Sequence, residues 1–229
     1  MNHSPVPPTG YPLPVLLKGR LIKRYKRFLA DIVLDSGETI TAHCPNSGSM
    51  KGCAIEHSVV YVSKSDNPKR KLKYTWELVR LESTFIGINT QVPNKLVKLS
   101  IEAGLIPELS GYDRVRPEVK TSDHTRLDLL LESADKPACY IEIKNCTLVE
   151  HGRAMFPDAV TSRGLKHIHE LTKLSLKGNR TVIFFLVQRT DAGVFSPAWT
   201  IDPEYSNALA QCVDAGVEII TRDVDITLD

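Results

Sequence analysis

The order of elements in the sequence predicts an α+β chain of two units, a small β-barrel followed by an α/β domain with a mixed sheet. Three observations carry this. Short strand-like segments punctuated by Gly, Asn and Ser fill the first third, with no helical stripe among them. The pattern then changes to helix, three strands, helix, strand, helix, strand. The 229 residues, 42% hydrophobic and 24% charged, are enough to bury a core in one large domain or two modest ones. The expected division is residues 1–83 and 84–229.

Element by element, a Pro-rich lead-in gives way at Leu16 to strands that include residues 28–34, 39–43, 58–63 and 74–82. Asp35-Ser36-Gly37-Glu38 supplies a turn between the first two. A barrel of the oligonucleotide/oligosaccharide-binding (OB) type accounts for this run of short strands. Residues 93–103 read as a helix, with Leu96, Val97 and Ile101 on one face and Gly104 as its stop. Strands are expected at 115–120, 126–132 and 138–145, separated by turns at 121–124 and 133–137. Thr161 caps a helix to about Lys177, whose core stripe is Leu165, Ile168, Leu171 and Leu174 and whose stop is Gly178. Residues 181–188 form an apolar strand of the kind buried on both faces. Asp202-Pro203 opens a last helix to about Ala215, and 217–220 closes the sheet.

Net charge is only +2, but it is unevenly spread. Residues 1–83 carry 13 Lys and Arg against 7 Asp and Glu, whereas residues 84–229 carry 16 against 20. The basic excess in the first unit points to an anionic partner there. Five cysteines (Cys44, Cys53, Cys139, Cys146, Cys212), odd in number and without a framework, suggest free thiols in a reducing cytoplasm. His43, Cys44, Cys53 and His57 lack the Cys-x-x-Cys knuckle of a zinc site. The first residues lack the basic-then-apolar run of a signal peptide, and no apolar stretch reaches membrane-spanning length. The expectation is a soluble cytoplasmic protein with no membrane partner.

The chemistry concentrates in Arg126-Leu127-Asp128-Leu129-Leu130-Leu131 and Tyr140-Ile141-Glu142-Ile143-Lys144. Both largely alternate apolar and polar residues, as half-buried strands do. Paired as neighbours, they place Asp128, Glu142 and Lys144 on one face and Leu127, Leu129, Ile141 and Ile143 on the other. Two carboxylates beside an ammonium suit a hard divalent cation and the activation of water against a phosphodiester. A surface ion pair, such as Arg126–Asp128 or Glu142–Lys144, is the plainer alternative for such a pattern.

In this order of elements, an Asp followed by Glu-x-Lys on the next strand resembles the core of the PD-(D/E)xK nucleases. The likeness implies that Asp128 and Glu142, with the Ile143 carbonyl, ligate Mg²⁺ or Mn²⁺. It also implies that Lys144 orients or activates water, and Glu118, one strand earlier, is a candidate further carboxylate. Many members carry a Glu in the helix before the first strand, where this chain offers only Glu102, so Glu102 and Glu118 stay open as the third acid.

A wider set of words resembles the sugar fermentation stimulation protein A family from end to end. They include 24–31 (Arg-Tyr-Lys-Arg-Phe-Leu-Ala-Asp), 43–50 (His-Cys-Pro-Asn-Ser-Gly-Ser-Met), 71–77, 109–112 and 118–120. The two strands above, 156–161, Arg163-Gly164 and Lys166-His167 complete the series. The resemblance implies an OB barrel fused to a PD-(D/E)xK nuclease-like domain, DNA binding, and a link to regulation of sugar-utilisation genes.

Nucleic-acid contacts are expected from Lys23, Arg24, Lys26 and Arg27 and from Lys69, Arg70, Lys71 and Lys73, with Tyr25, Tyr74 or Trp76 as stacking platforms. Neither word offers a helix for the major groove, so little sequence specificity is expected. On the helix from Thr161, Arg163, Lys166, His167 and Glu170 share a polar face that borders the site, with Lys166 or His167 near the scissile phosphate. The loop at 43–50 reads either as a tight turn capping the barrel or as a phosphate nest. The functional expectation is a DNA-binding, divalent-metal-dependent nuclease, with RNA as the other polynucleotide. The alternative is a non-enzymatic DNA-binding regulator on the same scaffold.

Overall fold

The computed structural model describes residues 10–82, 84–123 and 125–228. The first part of the Pro-rich lead-in, and His124 of the expected turn, lie outside them.

Strands β1 (Leu16–Tyr25), β2 (Leu29–Leu34), β3 (Thr39–His43), β4 (Val59–Lys64) and β5 (Tyr74–Leu81) form the barrel. The sheet runs β3-β2-β1-β4-β5 and closes through a parallel β3–β5 contact, Ala42 opposite Tyr74 and His43 opposite Thr75. Register shifts in β1 between Leu21 and Lys23, and in β4 between Tyr61 and Val62, help the strands curl. Leu21, Ile32, Val60, Val62, Trp76 and Val79 fill the interior. Trp76 is fully buried, and its indole N–H donates to the Leu78 carbonyl at 2.9 Å. That corrects its reading as a stacking platform: an aromatic beside lysines is equally a core residue, and here the pleat turns it inward. Tyr74 is buried as well. A short strand, β6 (Thr84–Gly87), extends the barrel sheet past β5.

The second unit begins with α1 (Val92–Glu102), which has Pro93 in its first turn and left-handed Gly104 (φ 71°) just beyond its end. Its sheet has five strands in the order β14-β12-β9-β8-β7: β7 (Arg114–Ser122), β8 (Thr125–Ser133), β9 (Lys136–Cys146), β12 (Arg180–Val187) and β14 (Val217–Asp223). β7, β8 and β9 run antiparallel, and β12 is parallel to both β9 and β14, so the sheet is mixed. A three-stranded sheet of β10 (Leu148–Glu150), β11 (Arg153–Phe156) and β13 (Val194–Pro197) stands beside it. Helices α2 (Ser162–Leu176) and α3 (Pro203–Asp214) complete the unit. Thr161 caps α2 by accepting from the Gly164 amide, and Asp202 caps α3 by accepting from the Tyr205 amide. The Asp202 carboxylate also takes the Thr161 amide at 2.8 Å, which ties the two helix starts together.

Val97 and Ile101 of α1 pack on one face of the sheet with Leu129, Leu131, Ile141, Ile143 and Phe184. Ile168, Leu171, Tyr205 and Leu209 of α2 and α3 cover the other with Leu127, Ile183, Phe185 and Val217. Leu127 and Leu129 therefore feed different cores, a departure from strict alternation along β8. The neighbouring strand is irregular at the same level: Pro117 has no N–H to donate, and Glu118 adopts a left-handed backbone (φ 55°).

All five cysteines are free and buried. Burial pushes the Cys53 thiol up to about 11 and those of Cys139 and Cys146 up to about 12. Because the thiolate is the reactive form, native protein should resist alkylation at pH 8 and react at all five positions only once denatured. Counting modified thiols by mass with and without denaturant checks this. Among the described residues, no helix is long and apolar enough to cross a membrane.

Candidate active site

Asp128 and Glu142 lie where β8 and β9 separate. Their ladder pairs Leu130 with Tyr140 and Leu129 with Ile141, and its register stops there. One step further, the Asp128 carboxylate takes the place of a backbone acceptor: Oδ2 receives the Ile143 amide at 2.7 Å. Oδ1 receives the side-chain amide of Asn94, from the first turn of α1, also at 2.7 Å. In an extended strand the N–H and C=O of one residue point to the same side, so the Ile143 carbonyl borders the same gap. The two strands are thus wedged apart by an acid that is itself held from two directions.

Glu142 and Lys144 alternate with Ile141 and Ile143, which face α1, and so project toward α2. There the Lys144 ammonium donates to Glu142 Oε1 at 2.6 Å, and His167 of α2 places Nδ1 against the same oxygen. Lys144 Nζ lies 3.3 Å from that ring nitrogen. Glu142, Lys144 and His167 are all buried. The second oxygen of Glu142, Oε2, is buried without a hydrogen-bond partner.

These neighbours split the two acids electrostatically. Burial, and then the charge of Glu142, push the Asp128 carboxyl up to about 6, against the hydrogen bonds it accepts. Burial also pushes Glu142 upward. The His167 hydrogen bond and the Lys144 charge outweigh it, and the Glu142 carboxyl sits below its ordinary value. Glu142 is the firm anion of the pair, and Asp128 is the acid that gains most from a nearby cation.

Glu118 occupies the β7 register position opposite Asp128 but is exposed, and among the described residues its carboxylate makes no hydrogen bond or ion pair. Glu102 pairs with Lys98 on the exposed side of α1. The helix before the first strand does reach the site, but through the amide of Asn94. No periodicity reports a contact between distant elements, so the sequence does not disclose Asn94 and His167 as partners of the two acids. The only legible signal was the helical spacing of Arg163, Lys166, His167 and Glu170. In the structure that face splits: His167 and Glu170 are buried, whereas Arg163 and Lys166 are exposed.

Lys23 and Arg24 lie at the end of β1, and the remaining basic residues of the two words occupy the β1–β2 and β4–β5 connections, the loops with which OB barrels hold oligonucleotides. Lys26 and Arg27 turn the first with positive φ, and Phe28, 51% exposed, follows them. Among the described residues, Lys26, Arg27, Lys69, Arg70, Lys71, Lys73, Arg163 and Lys166 form no salt bridge. Lys23 differs, with Asp31 at 3.9 Å. Arg70 and Lys71 line a cleft of about 580 Å³ with His43, Ser63 and Gln91. Burial and the Arg70 charge push His43 below its ordinary value. Gln91, the N-cap of α1, precedes Asn94 by three residues.

Arg24 is placed differently from its neighbours. Its guanidinium donates to the carbonyls of Arg27, Asn46, Gly48 and Ser49 at 2.7, 2.9, 2.9 and 3.2 Å. It thereby holds the loop at 43–50 in shape, work internal to the barrel. That loop bridges the two units. Asp158, between β11 and α2, accepts from Ser49 Oγ at 3.1 Å and the Met50 amide at 3.0 Å, and Thr90 donates to the Pro45 carbonyl at 2.7 Å. A Cβ at Gly48 would meet Asp158 Oδ2 at 2.7 Å, which explains the glycine. Arg24→Ala should cost about 3 kcal/mol of stability, the scale of losing several charge-assisted bonds. Urea denaturation checks this, and the salt slope of DNA binding by the folded variant should stay that of wild type.

Oxygen donors are present for a divalent cation: Asp128, the orphaned Oε2 of Glu142 and the Ile143 carbonyl edge. Among the described residues, no three His, Cys, Asp or Glu side chains form a ready cation cage. Two carboxylates with the remaining positions left to water is an arrangement Mg²⁺ accepts. The residues therefore fit such an ion.

Comparison with known proteins gives the lineage. The SfsA N-terminal OB domain matches residues 22–88, and the sugar fermentation stimulation protein RE domain matches residues 91–229. Sugar fermentation stimulation protein homologues from Geotalea uraniireducens and Geobacter sulfurreducens are each 56% identical, over 209 and 212 residues. These alignments cover 91% and 93% of this chain and 90% of each relative. The solved structure of Pyrococcus furiosus SfsA in complex with Ca²⁺ superposes with a TM-score of 0.87 at 27% identity, covering 94% of this chain and 91% of that one. With both units matched by its domains and relatives more than half identical along nearly the whole length, this chain belongs to the sugar fermentation stimulation protein family.

Proposed function

We propose that this chain is a DNA-binding nuclease that hydrolyses phosphodiester bonds with Mg²⁺ or Mn²⁺, in a family linked to the regulation of sugar utilisation. The single observation that carries the reading is the convergence of Asp128, Glu142 and Lys144 at the opening between β8 and β9. The Ca²⁺ in the Pyrococcus furiosus relative supports a divalent cation here. Such a cation, when bound, supplies Lewis acidity and lowers the pKa of its water.

The chain's own residues supply the rest. Asn94 and the Ile143 amide fix Asp128 at the cation position, and Glu142 offers Oε2 there. Lys144 places a positive charge where a phosphate oxygen gains negative charge and is within reach of an attacking water. Glu118, opposite Asp128, is a further acid at the exposed rim. The strand runs over the barrel loops, along Lys26, Arg27, Phe28, Lys69, Arg70, Lys71 and Lys73, to Arg163 and Lys166 at the start of α2. These unpaired cations suit phosphates rather than bases, so the grip is largely insensitive to sequence. Buried free thiols fit a reducing cytoplasmic setting.

The second reading, a DNA-binding regulator without turnover, draws on the lack of a three-residue cation cage among the described residues. A degradation panel of single-stranded DNA, duplex DNA and RNA, with Mg²⁺, Mn²⁺ or chelator, separates the two. Product from DNA that requires metal supports the nuclease. Metal-independent binding with no product supports the regulator.

A further inference from the structure

Glu142 carries its hydrogen bonds unevenly. Both nearby donors, Lys144 Nζ and His167 Nδ1, converge on Oε1, and Oε2 is left buried and unpartnered. The terminal torsion of a glutamate is broad and two-fold, so a carboxylate held by Lys144 alone, two residues along its own strand, can exchange its oxygens. His167 comes from a different element, α2, and its ring is buried against the sheet. Two donors of independent origin on one oxygen settle which oxygen is left without a partner.

We infer that His167 is a positioning residue that presets Glu142 to present Oε2 to a divalent cation. Its Nδ1–H donates to the carboxylate, and the bond also draws α2, with Arg163 and Lys166, down onto the opening. This inverts the usual partnership at metal sites, in which a histidine ligand is oriented by a carboxylate behind it. Here the carboxylate faces the cation and the histidine stands behind. The inference rests on the reading of Glu142 as a cation ligand.

The test is cation binding by the full-length chain, measured by calorimetry with Mn²⁺ and with Ca²⁺ in the absence of DNA. His167→Ala should weaken binding about 10- to 100-fold, the range seen when such supporting partners are removed. His167→Asn, whose Nδ2 sits where the ring Nδ1 was, should restore most of the loss. His167→Gln, whose amide matches the other ring nitrogen, should not. Asn failing to rescue, or Ala binding like wild type, overturns the inference while the nuclease reading stands. No cation binding by wild type removes the nuclease reading itself. Melting temperature without metal is measured for each variant, and the Asn-to-Gln contrast keeps the test decisive where the alanine variant folds poorly.

Discussion

Glu142→Gln and Lys144→Ala are each expected to lower metal-dependent DNA cleavage by about 10²- to 10³-fold, the scale of losing one preorganised group that stabilises developing charge. The two losses differ in kind. Glu142→Gln keeps an acceptor for Lys144 and His167 but removes the anion, so cation affinity falls with rate. Lys144→Ala keeps both acids and leaves Glu142 with His167 alone, so cation binding survives and the chemical step suffers. Removing one partner of a buried ion pair costs about 3–5 kcal/mol, so Lys144→Met, which retains the packing of the stem, accompanies the alanine. Cleavage by both variants at the wild-type rate would place the activity elsewhere.

Replacing Lys69, Arg70 and Lys71 together by alanine should make the salt dependence of DNA binding shallower by about 2–3 in log–log slope, one counterion term per lost phosphate contact. Low-salt affinity should fall at least about tenfold with it. None of the three pairs with a carboxylate among the described residues, so little folding energy is at risk. An unchanged slope would make the β4–β5 connection ordinary solvated surface. Arg24→Ala is the contrast: a cation in an equally basic word, expected to move stability rather than slope, because its guanidinium is spent on four backbone carbonyls.

That contrast marks what the sequence can and cannot convey. Alternation and turn chemistry were legible, so the barrel and the ends of α1 and α2 fell within a residue or two of expectation, and the mixed sheet did so except at β14, which runs three residues further. The juxtaposition of Asp128, Glu142 and Lys144 was legible because two alternating segments joined by a short turn must pair. The sharing of faces was only partly so. Leu127 and Leu129 enter different cores beside a left-handed Glu118, and a positive φ at a non-glycine residue leaves no mark in sequence. β6, β10, β11 and β13 have three or four residues each, too few for a period to register. Trp76, Arg24 and His167 show the remaining limit. An aromatic, a guanidinium and an imidazole each suit surface chemistry and interior bonding alike, and only the packing decides.

The proposed hydrolytic activity depends on one place, the opening between β8 and β9. Crystals of the chain soaked in Mn²⁺, with anomalous data collected at the manganese edge, examine it directly. The expected result is a peak within ligand distance of both Asp128 and Glu142, with Lys144 and His167 still on the far oxygen of Glu142. A peak bound elsewhere, or none at a concentration that supports cleavage, would contradict the assignment of these acids to a metal centre.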